Sequence, residues 1–308
     1  MNEKTQLRIA LSLLEFLSLE EKLLLEKKLG GFEELSSLSL SQLELKVGRV
    51  LKTKVFPFLN LAAIVNRDIA IMKKLGIGAL HYSDEDFPVL LKQIYDCPYM
   101  IFYRGDKSLL NQLSIAMVGS RHCSSSGVLM AKNFSSELCE RGFVVVSGLA
   151  NGIDSASHIG TLASGKTIAV LACGVDEIYP KNNVKLACSI LEKGGLIISE
   201  HPPMEAPLKY RFPQRNRIIS GLSQGVIVME SPPKSGSLIT ADFAIEQNRE
   251  LFFHKNALEM DLKLGDEYLK NKSVSLARAM KIKRVSSYVE DGAKVVDSVD
   301  ELLKALFN

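Results

Sequence analysis

The chain has 308 residues, 46% of them hydrophobic, and its 38 lysines and arginines against 35 aspartates and glutamates leave a formal net charge of +3. The apolar fraction is enough for a sizeable core, which excludes a disordered protein, and no apolar run approaches the roughly 18–20 residues of a membrane span. The five cysteines are scattered without a C-x-x-C pair, which argues against a disulfide framework or a cysteine zinc site and predicts reduced thiols in a cytoplasm.

Residues 1–80 predict a small N-terminal helical domain, because their apolar residues recur at helical spacing and no long β-branched run interrupts them. Two capping-box patterns support this interpretation, Ser18 with Glu21 and Ser41 with Glu44. Each pattern is expected to begin a helix, since the serine and the glutamate three residues later satisfy each other's free backbone N–H groups.

Residues 81–308 predict a second domain of the α/β class, which begins with a connector at 81–106 that contains one short strand. Short apolar runs follow at 114–118, 143–147, 167–171, 195–198, 225–229 and 250–253. Because these runs are continuous rather than alternating, their strands are expected to be covered on both faces. Helix-length segments between them therefore predict a doubly wound, mostly parallel sheet, closed by a last strand and helix within Val289–Phe307.

Glycine- and serine-rich loops follow three of the predicted strands. They are Gly119-Ser120-Arg121, Ser147-Gly148 and Ser235-Gly236-Ser237. Each precedes a predicted helix, whose free N–H groups and dipole favour an anion, although an ordinary capped turn has the same composition. Because the carboxyl ends of parallel strands share one edge, the three loops together predict a surface that follows phosphates.

The most basic segment, residues 209–217, holds four cations and no acid: Lys209, Arg211, Arg215 and Arg217. Pro213 predicts that the segment is not a helix, which argues against a reader of duplex grooves. Cations with interleaved aromatic rings are instead typical of single-strand binding. Four engaged cations would give a slope near −3 for log K against log salt. The alternative is a solvated basic loop whose Phe212 packs into the core.

Two nucleotide-binding motifs are excluded by their context. The loop after the first strand of the sheet lacks G-x-G-x-x-G, so a dinucleotide site is not predicted. Residues 160–167 match G-x-x-x-x-G-K-[ST], but they follow a predicted helix and lead into a strand, the reverse of a phosphate loop. His158, His201 and His254 are interpreted as solvated, and no metal site or cofactor is predicted.

Six ordered blocks within residues 83–308 resemble the DprA/Smf family, the DNA-processing proteins of bacterial natural transformation. They are VGSR (118–121), VSGLANGID (146–154), IYP (178–180), SEHPP (199–203), FPQRNRIISGLS (212–223) and SGSLITADFAIEQNRE (235–250). The resemblance implies an extended Rossmann-like domain that binds single-stranded DNA without catalysis. It also implies a cytoplasmic homodimer, RecA recombinase as a partner and protection of incoming DNA.

The resemblance carries DNA roles onto particular residues. It implies that Arg121 and Lys209 pair with phosphates and that Phe212 stacks on a base. The residues expected at the DNA interface are Gly119, Ser120, Arg121, Ser147, Gly148, Lys209, Phe212, Arg215, Arg217, Ser235, Gly236 and Ser237, with Arg217 and Asn216 bracing the loop. Residues 255–288 match the family poorly, and this is the region to which the family's dimer and RecA surfaces are expected to map.

An enzymatic alternative comes from Rossmann-like phosphoribohydrolases, which resemble the chain around residues 232–240. Those enzymes end a P-G-G-x-G-T-x-x-E block in a catalytic glutamate, whereas Thr240 stands at that position here. The departure favours DNA binding, but a nucleotide-processing or nucleotide-binding protein stays open at this point.

Overall fold

The computed structural model describes residues 3–53, 60–271 and 283–308. Its described residues form one nine-stranded sheet in the order β1-β2-β6-β5-β4-β3-β7-β8-β9. The strands are β1 (Gly78–His81), β2 (Met100–Gly105), β3 (Ser114–Val118), β4 (Val144–Ser147), β5 (Thr167–Val170), β6 (Leu196–Ser199), β7 (Gly225–Val228), β8 (Glu250–His254) and β9 (Lys294–Val296). Two pairings are antiparallel, β1 with β2 and β2 with β6, and the six pairings that follow in the sheet order from β6 to β9 are parallel.

Helices connect these strands and precede them. They are α1 (Glu3–Ser12), α2 (Leu19–Lys28), α3 (Phe32–Ser37), α4 (Leu40–Val47), α5 (Leu61–Leu75), α6 (Val89–Lys92), α7 (Ser125–Glu140), α8 (Ile153–Thr161), α9 (Val184–Glu192), α10 (Arg211–Gly221), α11 (Ser237–Glu246), α12 (Lys255–Asn271), α13 (Val285–Glu290) and α14 (Val299–Phe307). In the part of the chain that the structure describes, no helix is long and apolar enough to cross a membrane.

The doubly wound sheet predicted from the apolar runs is confirmed. Alternate residues of β3 enter two different cores: Ala116 and Val118 pack with α10 and α11, whereas Ile115 and Met117 pack with α7, α8 and α14. Strands buried on both faces have no need of alternating polarity, which explains their continuous β-branched sequences. The predicted last strand and closing helix are β9 and α14.

The chain winds outward from β3 in both directions, first through β4, β5 and β6 and then, after a return, through β7, β8 and β9. The crevice between β3 and β7, beyond their carboxyl ends, is therefore the topological switch point at which open α/β sheets bind ligands. Ser114 fixes this return, because its backbone N–H and hydroxyl bond to the side chain of Gln224 and the carbonyl of Leu222.

The N-terminal residues are helical as predicted, with one difference in register. The Ser18–Glu21 capping box is present, but the second box joins Ser39 to Gln42, so the pattern at Ser41 and Glu44 is not a helix start. Ser39 is favoured because it places Leu43 in the core. The proposed division between residues 1–80 and 81–308 falls inside β1, whose partner β2 ends the connector 81–106.

The N-terminal helices pack directly on the sheet, and their core is shared with β2 and β5. Two carboxylates bond across this seam. The Glu26 carboxylate accepts hydrogen bonds from Arg8 on α1 and from the Tyr99 hydroxyl. It also lies 3.1 Å from His81 Nε2. Glu15 is the second and lies near the start of α10.

Of the poorly matching segment 255–288, the structure describes α12 and the start of α13, and residues 272–282 lie outside the described residues.

Candidate nucleic-acid interface

A cleft of about 610 Å³ lies at the switch point of the sheet. The loop after β3, the start of α10 and the start of α11 form its walls. Of the predicted interface residues, the ones that line it are Gly119, Ser120, Arg121, Lys209, Phe212, Arg215, Ser235, Gly236 and Ser237. Asn216 also lines it and donates to the Gly236 carbonyl at 3.5 Å, so the starts of α10 and α11 are joined across the cleft.

An aromatic and cationic surface borders this cleft. The Arg121 guanidinium lies 5.8 Å from the centroid of the Phe212 ring, and the Tyr179 ring lies 5.4 Å from it at 58°. Arg121 and Tyr179 are exposed and Phe212 is half-buried, so the three groups are both mutually positioned and accessible. We call the surface formed by Arg121, Tyr179, Lys209, Phe212 and residues 235–237 the rim.

The basic segment is helical from Arg211 onward, so the prediction that Pro213 excludes a helix is wrong. Pro213 is the third residue of α10, and a backbone N–H at that position has no partner within the helix. A proline there removes no hydrogen bond, and its fixed φ suits the first turn. As a result, Phe212 and Asn216, one turn apart, face the cleft together.

Three of the four cations in this segment are buried, with exposures of 4% for Arg211, 4% for Arg215 and 8% for Arg217. Arg211 donates to Glu15 at 2.7 Å and to Glu205 at 2.6 Å. Burial opposes its charge, but these carboxylates raise the pKa of Arg211 overall. Lys209 is the cation of the segment that the structure leaves exposed.

Arg215, for which the resemblance implies a DNA contact, borders the cleft from beneath and is almost fully buried. Its Nη1 donates to the carbonyls of Gly148, at 2.7 Å, and Val170. A side chain at position 148 would collide with this guanidinium, which explains the glycine. Burial lowers the pKa of Arg215 to about 10, while the buried Asp154 opposes this decrease, so the side chain stays charged at neutral pH.

Arg217 faces away from the cleft, toward the seam with the N-terminal helices. Its guanidinium forms two bonds to Glu200, at 2.7 and 2.6 Å, and its Nε lies 2.8 Å from Asp96. Burial opposes the charge, but the two carboxylates raise its pKa overall, while Arg217 in turn helps to lower the pKa of Glu200. This arginine braces α10, the role first considered for it beside Asn216.

Ser147 and Gly148, at the end of β4 and the start of the loop after it, are not exposed, although Ala150 of the same loop lines the cleft. Ser147 is fully buried, and its hydroxyl donates to the Met117 carbonyl at 2.6 Å. Gly148 is buried as well, with its carbonyl bound by Arg215. Ser147 and Gly148 are therefore removed from the predicted surface, whereas the start of α10 and Tyr179 are added to it.

The N-terminus of α7, the first helix beside the cleft, is already occupied by a carboxylate side chain of the protein. Glu230, at the end of β7 and 1% exposed, accepts from the Ser124 backbone N–H at 2.9 Å and from its hydroxyl at 3.0 Å. A methyl group at Gly127 would overlap this carboxylate. The loop 119–124 therefore closes on Glu230, and Gly119 and Ser120 are positioned by it, since Ser120 N–H donates to the Glu230 carbonyl at 2.7 Å.

The loop before α11 presents a chain of hydroxyl groups. Ser237 Oγ lies 2.9 Å from Ser231 Oγ and 2.8 Å from Ser235 Oγ. Gly236 is exposed and Ser235 half-buried, whereas Ser237 is buried beneath them. Thr240, at the position of the phosphoribohydrolase glutamate, is 1% exposed and carries no carboxylate.

The expectation of solvated histidines is wrong: His158 and His254 are 0% and 3% exposed, and His201 is 7% exposed. Its Nδ1 lies 3.3 Å from Glu15, beside the bonds from Arg211 and from the Tyr210 hydroxyl at 3.1 Å. Burial raises the pKa of Glu15, but these partners outweigh it and hold the pKa at about 2. Within the described residues, no group of three or more histidine, cysteine and acidic side chains is arranged to hold a metal.

Sequence reasoning missed two residues of this site. Tyr179 lies in the IYP block, but nothing local shows that its ring meets Phe212, 33 positions later. Glu230 follows β7 with no local pattern that marks its role, and its partner Ser124 is 106 positions away. Only the parallel pairing of β3 with β7 brings the two loops together.

Comparisons with known proteins agree with this geometry. The family model of DNA recombination-mediator protein A matches residues 78–307. The DNA processing protein DprA of Bacillus subtilis is 46% identical over 188 residues, which is 60% of this chain and 63% of that protein, so the match spans less than two thirds of the relative.

Two solved structures are similar as well. DNA processing protein A of Streptococcus pneumoniae superposes with a TM-score of 0.70 at 31% identity and covers 99% of this chain and 98% of its own. DNA processing protein A of Helicobacter pylori, described for its single-stranded DNA binding mode, superposes at 0.59 with 27% identity, covering 75% of this chain and 95% of its own.

Proposed function

The chain belongs to the DNA recombination-mediator protein A family, and from that premise we propose that it binds single-stranded DNA along the rim and protects incoming strands in natural transformation. Phosphates and ring faces are common to all nucleotides, so binding at the rim is independent of base sequence. Arg121 and Lys209 pair with phosphates, Phe212 stacks on a base, and the exposed backbone at Gly236 accommodates the strand.

The observation that supports this proposal most directly is the Arg121–Phe212–Tyr179 cluster at the switch point. A cation beside accessible rings is the arrangement that single-strand binders use to hold a backbone and its bases at once. Arg215 and Arg217 act indirectly in this proposal, by holding α10 so that Phe212 and Lys209 stay at the cleft.

The experiment that tests the proposal is a salt titration of binding to a labelled oligothymidylate. With Arg121 and Lys209 as the exposed cations, log K should fall against log salt with a slope of roughly −1.4, about half of the slope that four surface cations would give. Arg121→Ala and Lys209→Ala should each flatten the slope by about 0.7.

The matched control is Lys193→Ala, because Lys193 is exposed just before β6, at the opposite edge of the sheet. Its slope should equal that of the unaltered protein. Affinity that does not depend on salt, equal affinity for blunt duplex, or a Lys193→Ala effect as large as that of Lys209→Ala would contradict the proposal.

We propose that the protein performs no catalysis on the strand or on nucleotides. The support is the position of Thr240, which is buried where the phosphoribohydrolases carry their catalytic glutamate. Incubation with nucleoside monophosphates should release neither base nor ribose phosphate, and turnover that is abolished in Thr240→Val would favour the enzymatic alternative.

The partners proposed from the family are a second copy of the chain and RecA recombinase, in the cytoplasm and without a membrane. Light scattering should give twice the mass of one chain, and the protein should accelerate assembly of RecA on a strand that is already coated. A monomer that leaves RecA assembly unchanged would contradict this part of the proposal.

A further inference from the structure

A second cavity, of about 390 Å³, lies in the seam between the N-terminal helices and the sheet. Its size falls within the range of about 300–1,000 Å³ that is typical of small-molecule sites. Lys22 of α2 lines it from one side, and Tyr210, Gln214 and Arg217 line it from the other. Gln214 and Arg217 lie on one face of α10, since they are three positions apart, and Tyr210 caps the helix four positions before Gln214.

Lys22 is the unusual member of this cavity. Its side chain is buried, with the residue 9% exposed, and its ammonium forms neither a hydrogen bond nor an ion pair with any residue in the described ranges 3–53, 60–271 and 283–308. Its ammonium lies over the Tyr99 ring, with Nζ 5.8 Å from the ring centroid. Burial lowers the pKa of Lys22 to about 8, against the attraction of Glu200 and Glu15, so the group still carries its donors at neutral pH.

The charge of the cavity selects against a phosphate. Four carboxylates line it (Glu15, Glu20, Asp96 and Glu200) against the two cations Lys22 and Arg217. Glu200 and Asp96 already bind Arg217, yet a carboxylate has about four acceptor sites, so each keeps capacity for a further donor. A suitable ligand is therefore neutral, with acceptors toward Lys22 and N–H donors toward the carboxylates.

The cavity also has aromatic rings at its mouth. Tyr95 is fully exposed and Tyr210 is 52% exposed, and both line the cavity. Tyr210 is adjacent to Lys209 on the rim, and α10 separates the cavity from the cleft, which Phe212 lines. A strand that crosses the start of α10 would thus have a stacking surface on each side of the helix.

We propose that this seam cavity binds one unpaired guanine base of a strand held on the rim. Guanine offers the O6 and N7 acceptors that lysine recognises and an amino group as a donor on another edge, so it matches both the ammonium and the carboxylates. Tyr95 and Tyr210 supply the faces for stacking. The inference rests on the proposed function, and it adds a modest base preference to otherwise sequence-independent binding.

The test compares a short labelled oligothymidylate with the same strand carrying one central dG, dA or dC. The full chain should bind the dG strand roughly fivefold more tightly than the all-thymidine strand, the lower end of what a good base contact contributes. Lys22→Met, which keeps the length of the side chain, should bring this ratio to one. Lys27→Met, an exposed lysine on the same helix, should keep it.

Equal affinity for the dG and thymidine strands, a stronger preference for dA or dC, or a preference retained in Lys22→Met would overturn the inference. If Lys22→Met does not fold, Gln214→Ala, an exposed change on the opposite wall, should lower the ratio instead.

Saturation-transfer NMR with free deoxyguanosine, against deoxythymidine, tests the cavity without the rim. Absence of all strand binding together with deoxyguanosine binding would refute the proposed function alone, whereas strand binding without either preference would refute this inference alone.

Discussion

Phe212 combines two kinds of contact that are usually found separately. Its ring is held by Tyr179 and by the Arg121 guanidinium, and it remains half-buried rather than enclosed. Cation–π contacts of this kind contribute about 0.5–1 kcal/mol at exposed sites. The ring therefore positions a phosphate-binding cation while it keeps a face for stacking.

Replacing Phe212 with alanine should weaken binding of a single strand by about 1–3 kcal/mol, because one base loses its stacking surface. The salt slope should stay near that of the unaltered protein, since the number of neutralised phosphates does not change. Fluorescence anisotropy at several salt concentrations measures both quantities. Phe212→Tyr preserves the ring and should bind almost normally; a lower slope with unchanged affinity in Phe212→Ala would argue against stacking.

The helices around the cleft begin in different ways, and the difference decides which of them is open to a ligand. The N-terminus of α7 holds Glu230, whereas the serine loop before α11 contains hydroxyl groups and the exposed Gly236. A carboxylate at a helix N-terminus interacts favourably with the dipole and satisfies free N–H groups. Glu230 thus stabilises α7 in the place where a dinucleotide-binding fold would receive its phosphate.

Glu230→Ala should lower the free energy of unfolding by about 1–3 kcal/mol, because the backbone N–H and the hydroxyl of Ser124 both lose the carboxylate that accepts from them. Ser124→Ala should cost about 1 kcal/mol as the loss of an N-cap. Chemical denaturation of the two single variants and the double variant measures their coupling, which should be positive because the residues are in contact. Strictly additive effects would show that the observed bonds do not stabilise α7.

At the same scale, α10 shows what the sequence can and cannot predict. The predicted strands are confirmed because continuous β-branched runs are a local signal of burial on both faces. The state of the arginines is not a local signal: Arg211 and Arg217 are neutralised by Glu15, Glu200 and Asp96, which lie 17 to 196 positions away. Cation density along a segment therefore overestimates the charge that reaches the surface.

For the whole molecule, the seam makes the N-terminal helices and the sheet one folded unit. Of the two carboxylates that bond across the seam, Glu26 is the better buried, with a side chain 12% exposed against 43% for Glu15. Burial raises the pKa of Glu26, but bonds from His81 and Arg8 outweigh it and hold the pKa at about 2, below the ordinary 4.5. A carboxylate with a depressed pKa stabilises the fold above its unfolded pKa and loses this contribution as the pH falls.

The melting temperature should therefore fall as the pH is lowered from about 4.5 toward 2, the interval between the unfolded and folded pKa of Glu26. Glu26→Gln should melt at a lower temperature than the unaltered protein at neutral pH and should respond less to acid in this interval. Glu33→Gln, at an exposed position on α3, serves as the control and should follow the unaltered protein. Parallel curves for Glu26→Gln and the unaltered protein would contradict this account of the seam.

The central position of β3 has a consequence for synthesis of the chain. On one side β3 pairs with β4, but on the other it pairs Ile115 with Gly225, 110 positions later. At about 5–20 residues per second, the ribosome needs roughly 5 to 20 s to deliver that second partner. During this interval β3 is an unpaired edge, and such an edge is open to pairing with other chains. The strand that organises the binding cleft is thus also the part of the nascent protein with the greatest need of protection from aggregation.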